Sequence, residues 1–196
     1  MILYIHGFGS SAQSAKAQKL KAHYKARGID FLAPSLSYIP TLAIETLEDI
    51  IVFAQSKAQS IHLIGSSMGG YMSIYLAHKY GLKAVLINPS INPTQSLQKM
   101  LGMNASYYDL SSFEWTRQHL ASLQRYKVST LEVSNFLLLL QTGDETLDYQ
   151  EAVEFFEHQG MEREWMVIEE GGSHSFEDIE SKWSLIARFF AQNRET

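Results

Sequence analysis

Ser60-Ile61-His62-Leu63-Ile64-Gly65-Ser66-Ser67-Met68-Gly69-Gly70-Tyr71, with the breaker-free stretch Met72 to Lys79 behind it, is the segment whose reading decides the fold. Ile61, Leu63 and Ile64 make a short apolar run that reads as a buried strand, and Met72 to Lys79 reads as a helix. Between them, Gly65-Ser66-Ser67-Met68-Gly69 matches G-x-S-x-G. A serine at the tip of a sharp strand-to-helix turn is held in a strained backbone conformation, so the residues two before and two after it must be small. Gly65 and Gly69 meet that requirement for Ser67, whereas Ser66 has Ile64 two residues before it. Gly70 offers a further place for helix and strand backbones to approach closely. The same turn aims the Met68 amide, at the N-terminal end of the helix, toward any oxyanion formed beside Ser67.

Working outward, the apolar runs are short and alternate with helical patterns. Ile2 to Ile5 stops at His6-Gly7-Phe8-Gly9 and reads as a first strand. A helix from Ala15 to Arg27, with Ser10, Ser11 and Ser14 as candidate N-caps, ends at Gly28. Ile29 to Ala33 is a second strand closed by Pro34, and Thr41 is the expected cap of a helix carrying Ile44, Leu47, Ile50 and Ile51 on one face. After the central turn come strands at Ala84 to Ile87, Phe136 to Gln141 and Trp165 to Ile168, with helices at Tyr149 to His158 and Ile179 to Phe190. Between about residues 89 and 134 the pattern loosens, and this stretch is expected to be a lid insertion of short helices. The alternation predicts one α/β domain over residues 1–196, with a six-stranded, mostly parallel sheet and helices on both faces. Ligands of such sheets gather at the carboxyl ends of the strands. Here those ends are His6 to Ser10, Pro34 to Pro40, Ser66 to Gly69, Asn88 to Pro93, Gly143 to Asp148 and Gly171 to Ser175.

Composition narrows the chemistry. With 196 residues, 45% of them hydrophobic, the chain can bury one sizeable core. A net charge of -5 leaves no basic footprint, which argues against nucleic acid and anionic membrane surfaces as partners. The absence of cysteine removes disulfides, thiol nucleophiles and thiolate metal sites. The N-terminus enters Ile2-Leu3-Tyr4-Ile5 without a secretion-signal pattern, and no apolar run reaches spanning length, so a cytoplasmic location is expected.

A serine hydroxyl needs an imidazole to take its proton and an acid to orient that imidazole. Of the seven histidines, His62 lies in the central strand, His23, His78 and His158 fall in helices, and His119 lies in the lid. His6 precedes a glycine, in a position suited to bracing the first loop; with Gly7 and Tyr38 it is also expected to border the substrate. His174, in Gly171-Gly172-Ser173-His174 beyond the last strand, is the favoured base. The acid should fall between serine and histidine in the chain. Asp144 is preferred because Gly143 precedes it; Glu145 and Asp148 are the alternatives. The second oxyanion donor is expected to be the Phe8 amide in the glycine-rich first loop. No metal or organic cofactor is required.

Several of these stretches together resemble a known family. They are Ile5-His6-Gly7-Phe8, Ser14 to Leu20, Gly65 to Tyr71, Ile87-Asn88-Pro89, Gln141 to Glu145 with Leu147-Asp148-Tyr149, and Glu170 to Phe176. The pattern resembles the small bacterial esterases of the YqiA type, the UPF0227 family, within the α/β-hydrolase superfamily. It is weakest between Ile91 and Ser134. The resemblance implies a compact hydrolase lacking the first antiparallel strands of larger relatives, with Ser67, Asp144 and His174 as triad and Phe8 and Met68 as oxyanion donors. The expected substrate is a small acyl ester or thioester; acyl transfer and peptide or lactone cleavage use the same constellation. The contrasting expectation is a ligand-binding or interaction protein that keeps the fold without the activity.

Overall fold

The computed structural model describes residues 1–192. Eight strands occur in chain order: β1 (Ile2–Ile5), β2 (Phe31–Leu32), β3 (His62–Ser66), β4 (Ala84–Ile87), β5 (Gly102–Ala105), β6 (Ser112–Trp115), β7 (Phe136–Gln141) and β8 (Met166–Glu169). Six of them form one sheet in the order β2-β1-β3-β4-β7-β8, and every pairing in it is parallel. The α-helices are α1 (Ala15–Lys25), α2 (Pro40–Ser56), α3 (Met68–Tyr80), α4 (Pro93–Ser96), α5 (Arg117–Ser122), α6 (Tyr149–His158) and α7 (Trp183–Ala191). None is long and apolar enough to cross a membrane.

The unbroken apolar character of the strands follows from burial on both faces. Because side chains alternate along a strand, Leu3, Ile5, Leu138 and Leu140 face a core closed by α2, α3 and α6. Ile2, Tyr4, Leu137 and Leu139 face the opposite core, closed by α1 and α7. Strand order reverses direction between β1 and β3, so the loops after these two strands open a crevice at the sheet's carboxyl edge.

Element boundaries differ from the sequence expectation in four informative places. Helix α3 begins at Met68 rather than Met72. Gly69 and Gly70 lie in its first turn, where they serve contact: a Cβ on Gly69 would collide with the Ile5 and His6 carbonyls, and one on Gly70 would meet Pro89. Helix α2 starts with Pro40 at its first position and Ile39 as N-cap, so Thr41 lies inside it rather than capping it. The second strand shrinks to Phe31–Leu32, as an edge strand with a single neighbour can.

The fourth difference is the lid, which is not purely helical. It contains the antiparallel pair β5 and β6, with Phe113 and Trp115 turned inward and Ser112 and Glu114 outward. That period-two alternation was too short to stand out beside the aromatic residues scattered around it. Trp115, Leu120 and Leu123 pack on Tyr71 of α3, whose hydroxyl donates to the Leu123 carbonyl at 2.7 Å. The lid is thereby fastened to the helix that follows Ser67.

Candidate active site

Ser67 sits between β3 and α3 with φ 57° and ψ -122°, a conformation that L residues rarely adopt. Its backbone is held on several sides: its amide donates to the Ile87 carbonyl at 3.1 Å, and its carbonyl accepts from Gly70 at 2.9 Å and Ser90 at 3.0 Å. Gly65 leaves room for the following helix, since a Cβ there would strike Ser73 and the Gly69 backbone. The strain is therefore fixed by neighbours that all descend from the central segment and the strand beside it.

His174, beyond β8, places Nε2 3.0 Å from the Ser67 hydroxyl oxygen. Its Nδ1 lies 2.8 Å and 3.0 Å from the two carboxylate oxygens of Asp144, beyond β7. With the proton on Nδ1, the imidazole donates to Asp144 and accepts from the serine hydroxyl. Residues 77 and 30 positions away from one another in sequence order are thus brought into a single line of hydrogen bonds. The Asp144 side chain is 2% exposed and that of His174 22%, so the acid is shielded while the base can reach a ligand. Burial pushes the Asp144 carboxyl up, but hydrogen bonds from His174 and from the Leu147 and Thr146 amides outweigh it and hold the group below its ordinary value. Gly143 helps by contact rather than by unusual torsion: its amide donates to the Gly171 carbonyl at 2.7 Å, and a Cβ there would press on the Gly171 and Gly172 backbone.

The loop carrying His174 is tied down by residues that sequence reasoning left without a role. Buried Asn88, at the end of β4, donates to the Ser173 and His174 carbonyls at 3.0 and 3.3 Å and accepts from the Gln141 amide at 3.0 Å. Its φ of 39° is one that asparagine tolerates better than most residues. The Gln141 side chain accepts from Ser173 and Glu177 amides at 3.1 and 2.8 Å and donates to the Glu177 carbonyl at 2.9 Å. Glu145, the alternative acid, instead accepts from the His174 amide at 2.9 Å. Asp148, the other alternative, caps α6. The visible signal for Asn88 and Gln141 was a polar residue closing an otherwise apolar strand, where burial demands that each polar atom find a partner.

The first loop brings Phe8 beside the serine. Gly7 approaches so closely that a Cβ on it would lie 3.0 Å from the Ser67 Cβ. Among the described residues, neither the Phe8 amide nor the Met68 amide donates to a protein acceptor, although both border the cavity over Ser67. The Phe8 ring turns away to pack edge-on against Phe113 and Trp115 of β6, at 5.4 and 5.0 Å between centroids. A cavity of about 290 Å³ contains Ser67, Met68, Gly7, Phe8 and His174 in its wall. Tyr38 does not line it; it stacks on Phe113 at 4.8 Å and borders a neighbouring cavity of about 360 Å³ that shares Gly7, Phe8 and Met68.

His6, expected to border the substrate, does not line the cavity over Ser67 but belongs to the wall of the neighbouring one. The ring is 5% exposed, Nδ1 lies 2.9 Å from the Gly7 carbonyl, and Nε2 accepts from the Leu36 amide at 2.9 Å. Both nitrogens are occupied, and burial, opposed by the Gly7 hydrogen bond, holds the imidazole below its ordinary value. His6 braces the first loop against the segment after β2. Three other histidines have local duties: His23 stacks on Trp183, His62 on Phe190, and His119 completes a capping box at the start of α5.

This parallel sheet, with a strained serine after its third strand and an acid and a histidine on later loops, defines the α/β-hydrolase fold. The solved structure of Est1E from Butyrivibrio proteoclasticus (14% identity, TM-score 0.72, 97% of this chain and 88% of that one) shares it. So do mouse alpha/beta hydrolase domain-containing protein 10 (16%, TM-score 0.68, 95% and 86%) and the Pyrococcus furiosus esterase Pf2001 (15%, TM-score 0.63, 96% and 80%). Residues 1–191 match the model of the uncharacterised protein family UPF0227, and the chain belongs to that family. A UPF0227 protein of Serratia proteamaculans is 21% identical over 197 residues, covering 96% of this chain and 98% of its own. One of Shewanella sp. strain ANA-3 is 24% identical over 120 residues, a match spanning 57% of this chain and 63% of the relative's length.

Proposed function

We propose that this protein is a serine hydrolase that cleaves carboxylic esters or thioesters through an acyl-enzyme on Ser67. The observation that carries the reading is the line Asp144, His174, Ser67, with hydrogen-bond distances of 2.8 and 3.0 Å. In the first step His174 Nε2 takes the hydroxyl proton as the Ser67 oxygen bonds to the substrate carbonyl carbon, while Asp144 holds the other ring nitrogen and stabilises the imidazolium. The charge that develops on the carbonyl oxygen falls to the Phe8 and Met68 amides, whose hydrogens are otherwise unspent. Collapse of the tetrahedral intermediate breaks the bond to the leaving alkoxide or thiolate, which receives the proton from His174. Water then repeats the sequence: His174 removes its proton as the water oxygen bonds to the acyl carbon, and collapse of this second intermediate breaks the bond to the Ser67 oxygen, which takes the proton back from His174 as the acid is released.

The cavity of about 290 Å³ fits a small acyl ester better than a folded polypeptide, and Tyr107, in the turn between β5 and β6, forms part of its wall. Hydrolysis of 4-nitrophenyl butyrate by the wild-type protein, with turnover lost in Ser67→Ala, is the expected result. Full activity in Ser67→Ala would exclude the acyl-enzyme. A folded wild-type protein that turns over no ester or thioester would favour a binding role instead.

A further inference from the structure

Lys16 occupies a place that the hydrolytic chemistry does not explain. It stands in the first turn of α1, just after the N-cap Ser14, where the positive end of the helix dipole disfavours a cation. Its ammonium donates to the Ser66 hydroxyl at 2.7 Å, and among the described residues it has no carboxylate ion-pair partner. Its side chain reaches the wall of the cavity that holds Ser67 and His174, and Lys99 lines the same cavity. No aspartate or glutamate lines it, in a chain whose net charge is -5. Ser10, Ser14 and Ser66 line the same cavity.

From this arrangement we infer that Lys16 is a specificity residue of the hydrolase site, binding an oxyanion group, carboxylate or phosphate, carried by the ester substrate. The inference rests on the proposed hydrolase reading, since it assigns the substrate class of that same cavity. A bound anion would offset the two unfavourable conditions at once: it would pair with a poorly solvated ammonium and complement the N-terminal end of α1. Burial lowers the Lys16 ammonium to about 8, with the Asp144 carboxylate opposing the shift, which marks a cation that lacks full compensation in the unliganded protein. The alternative role, a brace for the turn through Ser66, would affect all substrates alike.

The test compares matched esters in the intact protein. One pair carries the charge on the acyl side, 4-nitrophenyl hemiglutarate against 4-nitrophenyl pentanoate. A second set carries it on the leaving group, 4-acetoxybenzoate and 4-acetoxyphenyl phosphate against methyl 4-acetoxybenzoate. The wild-type protein is expected to favour at least one anionic member through a lower KM. In Lys16→Met the anionic-to-neutral ratio of kcat/KM should fall by about 10- to 100-fold, with Lys16→Arg recovering part of it. Which anionic ester shows the effect separates carboxylate from phosphate and acyl side from leaving group.

An unchanged ratio in Lys16→Met, or no anionic preference in the wild-type protein, would overturn the inference. Should Lys16→Met not fold, competition in the wild-type protein decides: inhibition of pentanoate ester turnover by glutarate or inorganic phosphate, but not by the neutral glutaramide, supports the anion site, and equal response to all three refutes it. If no ester is turned over at all, the hydrolase reading fails separately. Calorimetric binding of glutarate or phosphate, lost in Lys16→Met, would then still uphold the anion site, and no binding would end it.

Discussion

Replacing Asn88 by alanine tests whether the base is held by the end of β4. The substitution removes the donor shared by the Ser173 and His174 carbonyls, at 3.0 and 3.3 Å, and the acceptor of the Gln141 amide at 3.0 Å. The buried Gln141 amide left without a partner costs about 1 to 3 kcal/mol, and the lost hydrogen bonds to the loop carbonyls about 1 kcal/mol more. Alanine at the φ of 39° adds about 1 kcal/mol. The sum is roughly 3 to 5 kcal/mol, enough to lower the melting temperature by about 10 °C in a chain of this size. Because the same bonds fix the backbone of His174, a displacement of the imidazole by a fraction of an ångström to an ångström should lower kcat by about 10- to 100-fold. Urea denaturation followed by fluorescence, together with 4-nitrophenyl ester kinetics, measures both effects. Asn88→Asp should fall between, keeping the acceptor for Gln141 while setting a carboxylate against two carbonyls. A wild-type unfolding midpoint and kcat in Asn88→Ala would refute the reasoning.

Four further outcomes follow from the same geometry. Ser67→Ala should reduce turnover by about 10⁴- to 10⁶-fold, measured with active-site-titrated protein. Ser67→Gly should be equally inactive yet more stable than Ser67→Ala by about 1 kcal/mol, because only glycine relieves the strain of the turn; equal melting temperatures would count against that strain. Gly69→Ala should cost roughly 3 kcal/mol or more, read by denaturation or loss of soluble protein, since its methyl group would strike the β1 backbone, which no side-chain rotation relieves. The Lys16 ammonium, lowered to about 8, is charged below that pH and neutral above it. The KM for an anionic ester should therefore rise above about pH 8 relative to that of its neutral partner. The ionisable groups around it are Tyr4 on β1, Lys99 across the cavity, and Asp144 and His174 on the later loops, so a matched neutral ester corrects for their titration.

The sheet and the turn that carries Ser67 were legible in the sequence because each depends on local constraints. Ile2 to Ile5 and Phe136 to Leu140 are continuous apolar runs that only a doubly covered strand accommodates. The spacing of Gly65 and Gly69 about Ser67 reflects a steric condition within a few residues. What was not legible depends on partners distant in the chain. Gln141 gains its role only when Ser173 and Glu177 fold over it, and Lys16 becomes exceptional only when β3 brings Ser66 to its ammonium. His6 stood at a strand end like the other candidate site residues, and the Leu36 amide that claims its ring could not be foreseen from its own neighbours. The apolar pattern showed α3 only from Met72, because Gly69 and Gly70 carry no side chain to mark its first turn, and the packing that holds them there involves β1 and Pro89.

Reaction of the intact protein with a fluorophosphonate, followed by peptide mass spectrometry, addresses the acyl-enzyme directly. The account predicts a single adduct on Ser67, formed rapidly in the wild-type protein and greatly slowed in His174→Ala. A folded wild-type protein that stays unlabelled, or an adduct on Ser66 or another serine with Ser67 intact, would contradict it.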